Sequence, residues 1–550
     1  MEQDSTIPLN EHDDNSERRV KLGEHSDDFA SGVSLDKKSN DCTSEGAMDD
    51  DSYNSELVIG LVGAVGTNLD LLKISLTEML KAYSYDVEEI RISKAIIREF
   101  RKIPKSDNNY TTANELMTAG NYLREKSENN AILSMAVTAL ISKLRDKDES
   151  NTPKPRYRKA YIIHSLKHPD EVNLLREVYT NGFYLIGVYA NEKRRKNYLI
   201  EHKYMSDIEA SKLIVRDSDE NEKWGQHTRD TYELSDFFVN FDNNYDRITN
   251  HLWRFFDLIF GKPNVSPTFD EYAMSMAYSA SLRSADLSRQ VGAVLTKNNM
   301  ILTTGANDIP TFGGGLYWPQ IIDDKIQDID GGRDYMLGYD SNANEKNIII
   351  ADILEKISDA INNSKTQEIL NQKKEIEDII STSLYKSKIK DITEYGRVVH
   401  AEMEAILSCA RSETNTYRTT LYCTTFPCHN CAKHIVASGV EKVVYIEPYP
   451  KSKAFDFHKD SITSPENTNN KGKVLFEPFV GIGPRCFFNL FSINLGIGYK
   501  IVRKDKKGKV MKWVRKNGRL RVQMLPSSYI EKELKTADSL NNLASVLKGD

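Results

Sequence analysis

The chain has 550 residues, with 74 Lys and Arg against 80 Asp and Glu, a formal charge of −6 and 39% hydrophobic residues. At roughly 100–200 residues per domain, that length predicts several domains with ample buried core. The longest apolar run, Leu57 to Gly66, is about half of the roughly 20 residues a membrane span requires, so no membrane partner is expected. No basic-then-apolar leader opens the chain, so export is not expected either. Six cysteines are too few for a disulfide scaffold, and four of them (Cys409, Cys423, Cys428, Cys431) fall within 23 positions. In a reducing compartment such clustering reads as metal or catalytic chemistry.

Residues 1–55 hold 15 acidic and 5 basic residues, so the remainder of the chain carries a net +4. This leader buries too little apolar surface to offset chain entropy, and a disordered acidic tail is expected. Leu57–Val62 then reads as a buried strand leading into glycines, and 68–83 as a helix with Leu69, Leu72, Leu76 and Leu80 on one face. Further strands are expected at Ala160–Ile163, Phe183–Tyr189 and Phe237–Phe241, with helices at 170–179 and 191–202. Alternating strands and helices predict a parallel α/β sheet in a first domain over 56–245. Residues 246–269 read as a linker with one amphipathic segment (Leu252, Phe255, Phe256, Ile259). A second α/β domain over 270–500 starts with helix 270–285 and a hairpin, Val291–Thr296 and Ile301–Thr304, around Asn298-Asn299. A polar helical insert at 345–395 interrupts it. Helix 400–411, strand Thr420–Thr425, helix 428–438 and strand Lys442–Glu447 follow, then a basic extension over 501–550.

The sharpest chemical signal is His400-Ala401-Glu402 followed by Pro427-Cys428-His429-Asn430-Cys431. Zinc favours thiolate and imidazole in a tetrahedron, and a catalytic centre keeps one position open. Cys428 and Cys431, three apart at a helix start, share one face. His400 completes three protein ligands for Zn²⁺, and Glu402 remains as proton carrier. The competing readings are a structural zinc, with His429 or His434 as fourth ligand, and a thiol–disulfide pair. Cys409 and Cys423 read as small buried hydrophobes, and Glu404 as structural. The joined H-x-E and P-C-x-x-C halves form the signature of zinc deaminases acting on nucleobases. On that chemistry the ion acidifies a water that attacks C4 of a cytosine ring. Glu402 carries the water proton to the ring nitrogen and then supplies one to the departing ammonia.

The stretches Arg289-Gln290-Val291-Gly292-Ala293-Val294-Leu295 and Gly305-Ala306-Asn307-Asp308-Ile309-Pro310, with the HAEMEAI run from His400, resemble the dCMP deaminase type. The likeness covers 270–460 apart from the insert. In that family the middle segment reads nearer G-Y-N-G-x-P, and its asparagine contacts the nucleotide sugar. The resemblance therefore implies a cytidine-deaminase-like α/β/α domain, a substrate role for Asn307, and assembly as a homo-oligomer. Lys451 and Lys453, beyond a strand end, read either as a polyphosphate grip or as an ordinary solvated loop. Arg289 stands between the same two readings.

Gly60-Leu61-Val62-Gly63-Ala64-Val65-Gly66-Thr67-Asn68 lies between a strand and a helix, where backbone amides cradle phosphate. It resembles the P-loop of nucleotide kinases. Thr67 and Asn68 stand where that loop's lysine and hydroxyl belong, and His164-Ser165 follow the strand that elsewhere ends in an acid. Nucleotide binding through Gly60, Gly63, Gly66 and Thr67 is the functional reading, and a glycine turn kept for packing is the bland one. Arg194 and Arg195 are further phosphate candidates.

A degenerate kinase-like domain joined to a dCMP-type deaminase resembles the bacterial anti-phage dCTP deaminases. Ser165–Val172, Phe183–Ala190, Asp217–Glu220, Gly225-Gln226 and Asp230 carry that likeness. It implies a cytoplasmic enzyme converting dCTP to dUTP, and dCMP to dUMP, to starve phage replication. It also implies a first domain that senses or restrains through a regulatory nucleotide or small RNA. Two rivals share the motif. One is deamination of a base in single-stranded DNA or RNA along the basic stretch Lys504–Arg521 with Trp513. The other is a nucleotide or RNA sensor with a structural zinc. A housekeeping dCMP deaminase is the same chemistry in another setting.

Overall fold

The computed structural model describes residues 55–103, 106–149, 151–218, 223–241, 245–363, 371–392, 394–447, 452–467, 472–494, 496 and 498–548. The acidic tail expected over 1–55 lies outside them up to residue 54. The described residues fall in one compact unit built on two six-stranded sheets.

In the first lobe the strands are β1 (Leu57–Gly63), β2 (Asp86–Arg91), β3 (Lys159–His164), β4 (Phe183–Tyr189) and β5 (Phe237–Asn240). Their order is β5-β4-β1-β3-β2, and all neighbours run parallel. Every residue of β1 is buried, as a central strand covered on both faces must be. Val58 and Val62 point to one core with Tyr161, Ile163 and the helix Ile132–Lys143. Leu57, Ile59 and Leu61 point to the other, with Leu72, Leu76, Phe255 and Phe256. The expected strands 160–163, 183–189 and 237–241 all form. β2 was not foreseen, because it is an edge strand whose sequence, DVEEIR, is mostly charged.

In the second lobe β6 (Gly292–Lys297) and β7 (Met300–Ala306) form the expected hairpin. After a small exposed hairpin of β8 (Gln320–Ile322) and β9 (Lys325–Gln327) come β10 (Thr420–Cys423), β11 (Lys442–Tyr445), β12 (Ile462–Thr463) and β13 (Val474–Pro478). The sheet order is β12-β13-β11-β10-β6-β7; its first four strands are parallel, and β6 alone runs antiparallel to its neighbours β10 and β7. The insert forms two packed helices, Ser341–Asn362 and Lys373–Lys386.

Three expected boundaries need correction. The supposed linker is the helix Tyr245–Ile259, whose Leu252, Phe255 and Phe256 are fully buried beneath the first sheet, with Phe255 stacked on Phe237 at 4.8 Å. The second domain does not close on itself before residue 500. β14 (Gly481–Ile482) pairs antiparallel with β5, and the following helix Pro484–Phe491 buries Cys486 and Leu490 in the first lobe's core. The basic extension is not an appendage. Its helix Pro526–Lys548 packs on Ile132–Lys143, and Glu533 forms a fully buried ion pair with Arg145, which also grips Glu56. Among the described residues no helix is long and apolar enough to cross a membrane.

Candidate active site

The two halves of the motif meet at one end of the second sheet. A Cβ at Gly305 would lie 2.1 Å from the Ala401 carbonyl oxygen, so only glycine lets the helix Ala401–Arg411 lie against β7. Thr303 Oγ1 donates to the Ala405 carbonyl at 2.8 Å, and Val399 and Asp308 exchange backbone hydrogen bonds at 3.0 and 3.3 Å. These contacts set His400 as the helix N-cap, with Glu402 in its first turn. Opposite, Cys428 caps the helix His429–Ala437, and its sulfur accepts from the Cys431 backbone N–H at 3.4 Å.

His400 Nδ1 lies 3.4 Å from Cys428 Sγ and 3.3 Å from Cys431 Sγ. A tetrahedral zinc with bonds of about 2.0–2.3 Å separates its ligands by roughly 3.5 Å, so this trio fits the ion. Among the described residues no other His, Cys or acid joins the group. The His429 ring stands edge-on to Phe457 at 5.6 Å instead. Among the described residues the group therefore offers three candidate ligands and no fourth. Both cysteines are free thiols.

Glu402 is 3% exposed, and burial raises its carboxyl above the ordinary range. A hydrogen bond from the Cys431 thiol, reinforced by His400, pulls the Cys428 thiol down to about 3, and Cys431 is raised in exchange. Metal binding draws both into the thiolate form. Cys423 lies against Glu402, its thiol raised by burial and by the nearby carboxylate. Glu404 accepts from Ser408 and Arg411, in the structural role expected of it.

The other expected residues divide. Asn307 is buried beside the motif, where its Oδ1 accepts from Val291 N–H at 2.6 Å and its Nδ2 donates to the Arg289 carbonyl at 2.8 Å. It thereby fixes the backbone from which the exposed Arg289 projects. The Arg289 charge acts on His400 and Cys423 on one side, and on Glu233 and Glu447 on the other. Lys451 lies outside the described residues. Lys453 is exposed and paired with Asp456 at 3.3 Å.

Gly60 requires correction: it is not in the glycine loop but inside β1, where a Cβ would lie 2.6 Å from Leu166 and 2.9 Å from Phe183. Gly63, Gly66 and Thr67 do line a first-lobe cavity. Arg194 and Arg195 are turned inward onto the carbonyls of Phe241, Ala190 and Val65, so neither faces a phosphate.

One feature escaped sequence reasoning. Arg229, on the first-lobe helix Thr228–Glu233, forms an ion pair with Glu447 at the end of β11. Burial raises the Glu447 carboxyl, and Arg229 pulls it back. Nothing in the local pattern around Arg229 marks it, because its partner lies more than 200 residues away.

Two cysteines and a histidine that could hold a metal ion thus lie beside a buried carboxyl group. A family profile described as the "Cytidine and deoxycytidylate deaminase zinc-binding region" matches residues 267–447. Deoxycytidylate deaminase of Enterobacteria phage T2 is 32% identical over 180 residues, covering 33% of this chain and 80% of that protein. The Schizosaccharomyces pombe deoxycytidylate deaminase is 24% identical over 303 residues, covering 54% and 72%. The dCMP deaminase of cyanophage S-TIM5, solved with dCMP and dUMP, aligns at 18% identity over 39% of this chain and 99% of that one; its TM-score of 0.21 is too low to argue from. The chain belongs to the cytidine and deoxycytidylate deaminase family.

Proposed function

We propose that the chain hydrolyses the 4-amino group of deoxycytidine nucleotides, turning dCMP into dUMP and dCTP into dUTP. The observation that carries this reading is the meeting of His400, Cys428 and Cys431 beside the buried Glu402. A zinc ion held by the trio supplies the Lewis acidity that makes water a competent nucleophile near neutral pH. Glu402 accepts the water's first proton and delivers it to the ring nitrogen; it then takes the proton of the C4 hydroxyl so formed and passes it to the 4-amino group, which leaves as ammonia as the C4–N bond breaks and the carbonyl forms. Arg289 meets the substrate's phosphate, and Asn307 keeps the Arg289 segment in place and faces the sugar. The first lobe is a kinase-like domain that regulates rather than transfers phosphoryl groups. Acting in the cytoplasm as a homo-oligomer, such an enzyme would deplete dCTP and limit phage replication.

The basic path required for editing a nucleic-acid strand has little support. Trp513 packs 6.2 Å from Tyr83, Arg515 pairs with Asp257, and Arg521 is buried against the carbonyls of Leu490 and Ser492. The test is ammonia release from dCMP, dCTP and a cytosine-containing oligonucleotide. Glu402→Gln should lower turnover by about 10²–10⁴-fold, the usual contribution of a general acid–base group. Chelation should abolish activity and zinc should restore it. Full activity in the Gln variant, or turnover confined to the oligonucleotide, refutes the proposal.

A further inference from the structure

A cavity of about 360 Å³ lies in the first lobe, apart from the deaminase cleft. It opens at the carboxyl ends of β1 and β3, where chain connections diverge to opposite sides of the sheet. Open α/β sheets bind ligands at that switch point. One wall is apolar, formed by Leu116, Met117, Leu199, Met205 and Leu213. Elsewhere in the lining, two buried side-chain atoms, His164 Nε2 and Thr67 Oγ1, have no hydrogen-bond partner. His164 is 7% exposed, and its nearest carboxylate oxygen, on Asp70, is 3.6 Å away. Burial lowers this imidazole to about 4, so near pH 7 it presents an uncharged ring.

The glycine loop in this lining does not offer a phosphate cradle, because an internal anion already holds it. The Val65 N–H donates to Asp217 Oδ2 at 2.8 Å. Lys167 Nζ donates to Asp217 Oδ1 and to the Gly63 carbonyl, both at 2.8 Å. The Thr67 N–H is taken by the Ala64 carbonyl, and the Leu71 N–H by the Asn68 side chain. Arg91 and Arg124 in the same lining are paired with Asp70 and Glu171, and Lys203 lies over the Tyr198 ring. A phosphate entering here meets the Asp217 carboxylate, while the cations that would attract it already carry partners. The volume lies near the lower end of the roughly 300–1,000 Å³ typical of ligand pockets, enough for one base and sugar.

We propose that the first-lobe cavity binds an uncharged nucleoside, and that Asp217 keeps phosphorylated nucleotides out of it. The apolar wall takes one face of the base and sugar, and His164 and Thr67 take its hydrogen-bonding edge. This goes beyond the deaminase reading and does not depend on it.

The probes are thymidine, which lacks the amino group the reaction removes, and its 5′-monophosphate. Binding to the zinc-loaded full chain is followed by calorimetry. Thymidine should bind in a way that Ala113→Phe, which fills the cavity, weakens at least tenfold. Thr67→Val, nearly the same shape without the hydroxyl, should weaken it three- to tenfold and serves as the check if the Phe variant unfolds. The monophosphate should show no component sensitive to either substitution. Asp217→Asn should raise monophosphate affinity relative to thymidine at least tenfold. The proposal is overturned if thymidine does not bind, if its binding ignores both cavity variants, or if the wild-type cavity takes the monophosphate as well as the nucleoside. An unchanged ratio in Asp217→Asn overturns the exclusion by charge.

Discussion

Replacing Arg289 by Ala should separate phosphate recognition from chemistry. The Arg289 backbone is held at three points: its N–H on Asp286 at 3.0 Å, its carbonyl on Asn307, and the next but one N–H, of Val291, also on Asn307. The exposed side chain therefore leaves a fixed origin. A guanidinium about 4 Å from a phosphate gains about 1 kcal/mol in bulk water and about 4 kcal/mol at an effective dielectric constant of 20. Arg289 is exposed, so the middle of that range applies, close to the roughly 1.5–3 kcal/mol of a charged hydrogen bond. That corresponds to a roughly 10–150-fold rise in KM for dCMP. The inhibition constant of deoxycytidine, which lacks the phosphate, should move less than about threefold, since it forfeits no such bond. Steady-state deamination of dCMP with deoxycytidine as competing ligand measures both quantities. The wild-type KM should also rise with salt while that of the variant stays flat, because an exposed ion pair is screened. If dCMP and deoxycytidine weaken in parallel, Arg289 shapes the cleft without touching the phosphate, and the assignment fails.

Two further predictions concern stability. Arg145 lies fully buried between Glu56 and Glu533, so Arg145→Met strands two carboxylates and should destabilise the chain by about 3–5 kcal/mol in denaturant unfolding; a loss below about 1 kcal/mol would contradict the burial argument. Burial holds His168 down to about 4, among Glu171, Arg124, Asp170 and His227. Between pH 6.5 and 4 the unfolded chain therefore binds a proton that the folded chain refuses, and stability falls on acidification by up to about 3 kcal/mol from this residue. His168→Asn, whose side-chain oxygen can replace His168 Nδ1 as the acceptor capping the helix Pro169–Tyr179, should flatten that acid slope and leave stability at pH 7 nearly unchanged. An unaltered slope would falsify it.

What could be read from the sequence was local or followed one periodicity. The metal trio was legible because each half-motif is contiguous and sits at a helix start, where backbone geometry aims the ligands. β1 was legible because a doubly covered strand is apolar throughout. Apart from β2, whose charged edge sequence hides it, the failures are long-range. A two-residue strand such as β14 has no pattern of its own, and its pairing with β5 joins segments some 240 residues apart. Arg521 reads as one more cation in a basic tail until its burial against Leu490 and Ser492 is seen. The glycine loop misled for a different reason. Its spacing reports backbone shape, whereas its chemistry depends on Asp217, which arrives from a separate helix and fills it.

That aspartate also bears on how the lobes communicate. Asp217 Oδ1 accepts from Thr228 Oγ1 at 3.3 Å, and the His227 N–H donates to the Lys167 carbonyl at 2.9 Å. Both contacts anchor the start of the helix Thr228–Glu233, whose next residue, Arg229, is the one paired with Glu447. Glu233, at the other end of this helix, lies within the field of Arg289. A single six-residue helix is thus held by the glycine-loop cavity at one end and by the deaminase cleft along its length. The same short helix carries the partner of Asp217, Thr228, and the partner of Glu447, Arg229, side by side.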